Sequence, residues 1–405
     1  MKIGMFTDTY FPQLSGVSTS IKTLTDELRK QGHQVIIFTT TDPKAEEEQD
    51  IVRLASLPFL SFADRRIAYR GFDRCLKIAR SMDLDLIHTH TEFSVGLTGH
   101  YVASRLKIPL VHTYHTMYEN YTHYIMDGML LQPSHVRALS KQYCNRADGV
   151  IAPSQLTQDT LQDYGVTVPI QVIPTGVPIQ TVKTDLRQDL RQKMGIQAED
   201  TVLLTLSRLS KEKNIQEVLE AYKELRQTNK KLQLLVAGDG PEREALELYC
   251  RKHHLEVDFV GFVDHEHVSD YYQIADLYLN ASQSESQGLT YLESLVNRCP
   301  IIAKENDYLK SIMVKDSFGR LYTNQETLAG VTAEFLAEQA AGQIAPIQES
   351  DLYELSSEKF ADEVLAFYQK MQEAYAKEEH DLFDVFFNKI KQGVRELVIG
   401  DKIDR

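Results

Sequence analysis

The chain has little of what a membrane-spanning, disulfide-bonded or metal-dependent protein carries. Its four cysteines, Cys75, Cys144, Cys250 and Cys299, are scattered without disulfide or zinc spacing, which fits a reducing cytosol. No apolar run approaches the ~18–20 residues that a membrane helix needs. The opening residues, MKIGMFTDTY, meet the charge of Asp8 too early for a signal peptide and read as a first strand. Positive charge is short as well. Lys and Arg number 44 against 58 Asp and Glu, and the formal net charge of −14 argues against nucleic acid as a partner. The deficit is uneven: residues 1–170 carry 17 basic and 18 acidic side chains, the remainder 27 and 40, so the two halves are expected to face different things. Neither half contains a Walker sequence or a Gly-x-Gly-x-x-Gly loop, so NAD binding and ATP-type hydrolysis are not indicated.

What is present is an alternation. With 405 residues the chain is too long for one typical core, and two domains are expected. Strand-like runs (IGMF, QVIIFTT, LDLIHTH, IPLVHTYH, GVIAPS) alternate with helical patterns such as 17–30 and 72–82. A Pro- and Thr-containing, then polar stretch at 176–200 reads as a linker. A second alternation then begins with TVLLTLSR, LQLLVAG, VDFVGFV, LYLNAS and PIIAK. Strands alternating with helices imply parallel sheets covered on both faces, and such sheets bind ligands beyond the carboxyl ends of their strands. The expected division is 1–175 and 201–350, with charged helices over 351–405.

The residues just after each strand therefore carry the information. After the first comes DTYFPQLSGVSTS, where Gly16 lets backbone approach a ligand ahead of a helix; an ordinary strand-to-helix turn reads the same way. HTHTEFSVG and HTYHTMYENY bring His88, His90, Glu92, His112, His115 and Glu119. Their spacing does not match His-Glu-x-x-His, so they read as a polar floor or as core histidines, with His115 the candidate for touching a sugar hydroxyl or phosphate. In the second half Arg208 and Lys213 lie between a strand end and a helix, a pattern suited to a diphosphate. Gly238 and Gly240 mark a tight turn, and VGFV (260–263) offers backbone to a base ring. SQSESQGLTYLESL (282–295) sets Glu285 in a loop and Glu293 about a turn and a half inside a helix starting near Gly288. Two such carboxylates suit the two ends of a polyhydroxylated ligand, or a solvated helix face. One basic stretch stands out, Ala63 to Arg80. If helical, it aligns Arg66, Arg70, Arg74 and Lys77 in a stripe beside the apolar LPFLSF, as an anionic membrane surface would require. A weaker basic stretch lies near Arg137, Lys141 and Arg146.

The order SRLSKEKN, AGDGP, VGFV, SESQGLTYLES resembles the nucleotide-sugar domain of the retaining glycosyltransferases of family 4. FTDTYFPQLSGVSTSI and the HTHTEFSVG/HTYHTMYENYTHYI pair resemble, more narrowly, the bacterial 1,2-diacylglycerol 3-glucosyltransferases. The resemblance reaches to about Tyr368. It implies the GT-B fold, with two Rossmann-like parallel-sheet domains facing a central cleft and a terminal helix (360–375) crossing back to the first. It implies transfer of glucose from UDP-glucose to diacylglycerol at the inner face of the cell membrane by a peripherally bound cytoplasmic enzyme, with no cofactor and no metal required. By position, Arg208 and Lys213 would bind the diphosphate and Glu293 the ribose. Glu285 would hold the transferred sugar, helped by backbone at Gln287, Gly288 and Leu289. Val263 would lie by the base, Gly16 by the donor phosphate or sugar, and His115 near the reacting centre. One position departs from the family pattern: Arg298 in VNRCP stands where a Gly is usual, at a cost of about 1 kcal/mol if φ is positive there. The alternatives are another acceptor, such as an already glycosylated lipid or a polysaccharide, and a catalytically weakened partner subunit.

Overall fold

The computed structural model describes residues 1–13, 15–59, 62–115, 133–182, 184–282 and 288–377. The chain forms two compact units. Residues 1–173 with those from Ala361 onward make the first, and Pro174–Phe360 the second.

The first unit runs β1 (Lys2–Phe6), α1 (Gly16–Lys30), β2 (Gln34–Thr40), β3 (Ile51–Leu54), β4 (Ser56–Phe59), β5 (Phe62–Ala68), α2 (Phe72–Met82), β6 (Leu86–Thr89), α3 (Ser94–Leu106), β7 (Leu110–Thr113), α4 (Pro133–Cys144), β8 (Gly149–Ala152), α5 (Gln155–Asp163) and β9 (Ile170–Val172). Seven strands make one sheet in the order β3-β2-β1-β6-β7-β8-β9. Its described pairings are parallel, which explains the unbroken apolar runs: both faces are covered, so β6, β7 and β8 are buried throughout. The chain travels outward from β1 to β3, then returns to build the other side from β6. The order therefore reverses between β1 and β6, and the loops after these two strands diverge there.

Asp8, just past β1, is spent on holding this point together. The helix α3 begins at Ser94 with no side-chain cap of its own. The Asp8 carboxylate supplies one instead, accepting from the Ser94 hydroxyl, from Thr91 Oγ1 at 2.7 Å and from the Val95 N–H at 3.0 Å. Gly96 lets the same turn press on β6's exit loop, because a Cβ there would lie 1.7 Å from the Thr91 carbonyl oxygen.

The basic stretch differs from the sequence expectation. Phe62–Ala68 is a strand paired antiparallel with Ser56–Phe59, and the helix starts only at Phe72 after Gly71 at φ 105°. Alternating Arg66 and Ile67 suits a strand, and Gly71 blocks continuation of a helix into it. Arg66 is consequently no part of a helical stripe. Its guanidinium donates to Ser56 Oγ at 3.0 Å and to the Ser56 carbonyl at 2.9 Å.

The second unit runs α6 (Thr184–Lys193), β10 (Thr201–Leu206), α7 (Ile215–Thr228), β11 (Leu232–Ala237), α8 (Arg243–His253), β12 (Asp258–Gly261), α9 (His265–Ile274), β13 (Leu277–Asn280), α10 (Leu289–Val296), β14 (Ile301–Lys304), α11 (Asp307–Ile312), β15 (Gly319–Tyr322) and α12 (Leu328–Ala340); the last helix, α13 (Ser357–Lys377), has its first residues in this unit and those from Ala361 onward in the first. Its sheet is again parallel, in the order β12-β11-β10-β13-β14-β15, and reverses between β10 and β13. The expected linker at 176–200 is instead part of this unit. Val177 bridges Ser356, and Arg191 of α6 pairs with Asp276 Oδ2 at 2.6 Å. Its polar composition reflects a surface helix held by ion pairs. Within the first unit the later part of α13 buries Phe367, Tyr368 and Met371, and a Cβ at Gly149 would strike the Met371 sulfur at 2.5 Å.

Replacing Asp8 with Ala leaves the buried Thr91 hydroxyl, the half-buried Ser94 hydroxyl and the Val95 N–H without their acceptor. The expected loss is about 2–3 kcal/mol in urea denaturation; a change of less than about 0.5 kcal/mol would mean the cap contributes nothing.

Candidate active site

In the second unit, the loop leaving β10 carries Arg208 exposed and Lys213 partly buried at the end of a tight turn, Lys211–Lys213. Three contacts shape it. Ser210 Oγ donates to Glu212 Oε1 at 2.6 Å, holding the Glu212 carboxyl below its usual pKa. Asn214 takes the left-handed conformation (φ 50°) that turns the chain into α7. The loop after β11 packs closely, since a Cβ at Gly238 would lie 1.9 Å from the Ser207 oxygen and one at Gly240 2.3 Å from the Leu209 oxygen. Those glycines serve loop-on-loop packing.

β13, on the other side of the reversal, delivers the second group. Ser282 Oγ reaches the Glu212 carbonyl at 3.4 Å, so the SQSESQG segment starts beside the cationic turn. Glu285 and Gln287 lie outside the described residues, as does Glu119. Gly288 (φ 63°) opens α10, Leu289 is its first residue, and Glu293 follows one turn later. The partly buried Glu293 carboxyl has its pKa raised to about 7 by desolvation, partly offset by the nearby Tyr272 hydroxyl, whose own proton goes to the Thr290 carbonyl at 3.1 Å. Beneath lies a polar knot that sequence reading missed. Asn280 Oδ1 accepts from the Ser282 N–H at 2.8 Å and from the Tyr291 hydroxyl at 3.3 Å, and its amide donates to the Tyr278 hydroxyl at 3.0 Å. It ties the end of β13 to α10, and no motif marks it. Val263 follows β12 with its side chain packed on the core, while Phe262 is exposed.

In the first unit Gly16 begins α1. Ser15 caps that helix with its side chain accepting from the Ser18 N–H, and a Cβ on Gly16 would meet nothing within 4 Å. Among the described residues no packing demand accounts for a glycine there. The histidines separate into two kinds. His88 is buried, with Nδ1 2.6 Å from the Tyr368 hydroxyl and Nε2 2.7 Å from that of Thr113; burial holds its pKa well below 6.5. His112 meets the Thr89 carbonyl at 3.0 Å and Glu92 Oε1 at 3.3 Å. Both are committed to the core. His115, just beyond β7, is partly exposed and touches His90 at 3.0 Å. Among the described residues no three His, Cys, Asp or Glu side chains gather as a metal site.

Comparison with known proteins gives the family and the class of fold. Residues 14–181 match the model of Glycosyltransferase Family 4, and residues 187–345 that of Glycosyl transferases group 1. The chain is 47% identical over 377 residues to the alpha-monoglucosyldiacylglycerol synthase of Streptococcus pneumoniae, covering 91% of this chain and 85% of that protein. It is 31% identical over 344 residues to the Acholeplasma laidlawii protein of the same name, covering 81% and 86%. The chain belongs to glycosyltransferase family 4. Among solved structures it resembles Anabaena HepE in complex with UDP (TM-score 0.71, 19% identity, 91% of this chain and 100% of that one). It also resembles a glycosyltransferase from Rickettsia africae (TM-score 0.68, 16% identity, 91% and 98%). These likenesses show the GT-B class of fold, two Rossmann-like parallel-sheet domains.

The expected departure at Arg298 has a structural account. α10 ends in a Schellman motif: the Arg298 N–H bonds to the Leu295 carbonyl at 2.9 Å and the Cys299 N–H to that of Ser294 at 3.0 Å. The motif demands a left-handed residue, and Arg298 adopts φ 64°. Its guanidinium folds back to donate to the Val296 carbonyl at 2.7 Å and lies 3.7 Å from Glu349, which offsets part of the strain. The turn forms with arginine at its left-handed position.

A Glu293 pKa raised above its unfolded value means that stability is fully present below pH ~4.5 and falls as pH rises through about 7. The ligand-free protein should therefore melt at a progressively lower temperature between pH 5.5 and 8, and Glu293→Gln should flatten that slope. An identical slope in both proteins would remove Glu293 as its source.

Proposed function

We propose that this enzyme transfers glucose from UDP-glucose to the 3-hydroxyl of 1,2-diacylglycerol, with retention of configuration, at an anionic membrane surface. The observation that carries the reading is the 47% identity to an alpha-monoglucosyldiacylglycerol synthase over 85% of its length. Arg208 and Lys213 would hold the diphosphate and Glu293 the ribose hydroxyls. Glu285, with backbone at Gln287 to Leu289, would hold the glucose, and Val263 would lie by the base. Gly16 and His115 of the first unit would approach the phosphate and the reacting sugar. The bond from the anomeric carbon to UDP breaks while the lipid oxygen bonds to the same face of that carbon. The lipid hydroxyl's proton passes to the departing phosphate, and the two cations stabilise its charge.

The membrane contact in this reading is the β4–β5 hairpin with the start of α2. Leu57 (60% exposed) and Ile67 face each other across the hairpin, and Tyr69 (52% exposed) and Phe72 continue the apolar surface. Arg70, Arg74, Lys77 and Arg80 are exposed beside it. Apolar side chains entering the interface next to cations that meet anionic headgroups is the combination such binding uses. Arg66, pinned to Ser56, is left out.

Purified protein with labelled UDP-glucose and diacylglycerol in anionic micelles should form an alpha-linked glucolipid. Bound UDP-glucose without any glycolipid would sink the enzyme reading. Changing Arg70, Arg74 and Lys77 together to Glu should weaken binding to anionic vesicles by about a hundredfold or more, at roughly 1 kcal/mol per basic residue. Unchanged sedimentation with those vesicles would take the hairpin out of the account.

A further inference from the structure

Behind His115 stands an arrangement that the reaction as described does not use. His90 ends β6's run and is buried between β1 and the segment after β7. Its Nε2 lies 3.2 Å from the Met5 sulfur, and its Nδ1 lies 3.0 Å from His115 Nε2. A thioether sulfur accepts a hydrogen bond but cannot donate one. If the His90 proton sat on Nδ1, the Nε2 lone pair would face the sulfur lone pairs at 3.2 Å, a repulsive contact. With the proton on Nε2, His90 donates to Met5, and its Nδ1 can only accept. The donor in the second contact is then His115 Nε2–H. His115 is left with one uncommitted ring atom, Nδ1, and among the described residues no group meets it.

We propose that the Met5–His90 pair is a positioning device that fixes His115 as a neutral imidazole protonated on Nε2, so that its Nδ1 lone pair accepts a hydrogen bond from a substrate hydroxyl. This rests on the reading in which His115 touches the reacting sugar. The surroundings support a neutral ring. His88 lies against His90 with ring centroids 3.9 Å apart and the planes tilted by 39°, the His115 centroid is 5.3 Å from that of His90, and His112 is close by. Among the described residues no carboxylate pairs with His115, so a positive charge on it would enter an imidazole cluster without an ion partner. Burial and His112 lower the His115 pKa to about 3. An imidazole fixed this way cannot donate to the sugar and cannot serve as a general acid. It can only accept, which selects a hydroxyl and disfavours a bare phosphate oxygen.

The test combines a spectroscopic readout with kinetics. Histidine labelled with nitrogen-15, with His115 assigned by comparison with a His115→Asn variant, should give the Nε2–H neutral pattern in the wild-type protein, unchanged from pH 5.5 to 8. A proton on Nδ1, or a titration in that range, overturns the proposal whatever the activity. His90→Leu should let His115 sample both tautomers and lower kcat roughly tenfold to a hundredfold, the range for lost orienting partners, with KM for UDP-glucose within about twofold. His90→Asn, whose side-chain oxygen stands where Nδ1 stood, should recover most of kcat. Equal kcat in wild type and His90→Leu, or equal losses in the Leu and Asn variants, would reduce His90 to a packing residue. Absence of transfer by the wild-type protein would instead count against the proposed reaction, and the nitrogen spectra would still decide the tautomer.

Discussion

Each unit depends on one constraint, the reversal of strand order in an all-parallel sheet. Backbone hydrogen bonds saturate the strands laterally and helices cover both faces, so free polar groups remain only beyond the strand ends. Where the order reverses, neighbouring loops leave in opposite directions and open a crevice. In the first unit this lies between β1 and β6, and in the second between β10 and β13. Gly16 follows β1, and His115 exits β7 beside the strand that carries His88 and Thr89. Arg208 and Lys213 follow β10, and Ser282 to Glu293 follow β13. In the proposed reading the chemistry collects there because the sheets leave nowhere else for it.

The cost of that layout is visible in the residues that close each crevice from below. Asp8 spends a buried carboxylate on the start of α3, and burial raises its pKa. Asn280 spends a buried amide on two tyrosines and a backbone N–H. Neither carries chemistry in the proposed reaction. Each makes a loop that would otherwise be free behave as part of the scaffold, which is what precise placement of a hydroxyl-binding group requires.

Much of this was legible in the sequence. Apolar runs of four to seven residues separated by helical patterns announce parallel sheets, because a strand buried on both faces cannot alternate. The position of Arg208, Lys213 and Glu293 relative to those runs already placed them at strand exits. The misreadings have physical causes. The 63–80 stretch has charges at helical spacing, yet its first part pairs with a strand whose partners are not marked by charge. The 176–200 stretch looked like a linker because its contacts are ion pairs to Asp276, a residue distant in sequence. Met5 gave no signal and His90 read only as one histidine of a group, since their pairing comes from a contact between neighbouring strands, 85 residues apart.

The central claim is that the sheet reversal between β10 and β13 forms the donor site. Amide hydrogen exchange of the protein with and without UDP-glucose tests this most directly. The account predicts slowed exchange at 207–214 and 288–293, with the opposite, amino-terminal ends of β10 and β13 unaffected. Slowing confined to those amino-terminal ends, or none at either strand exit, would contradict it.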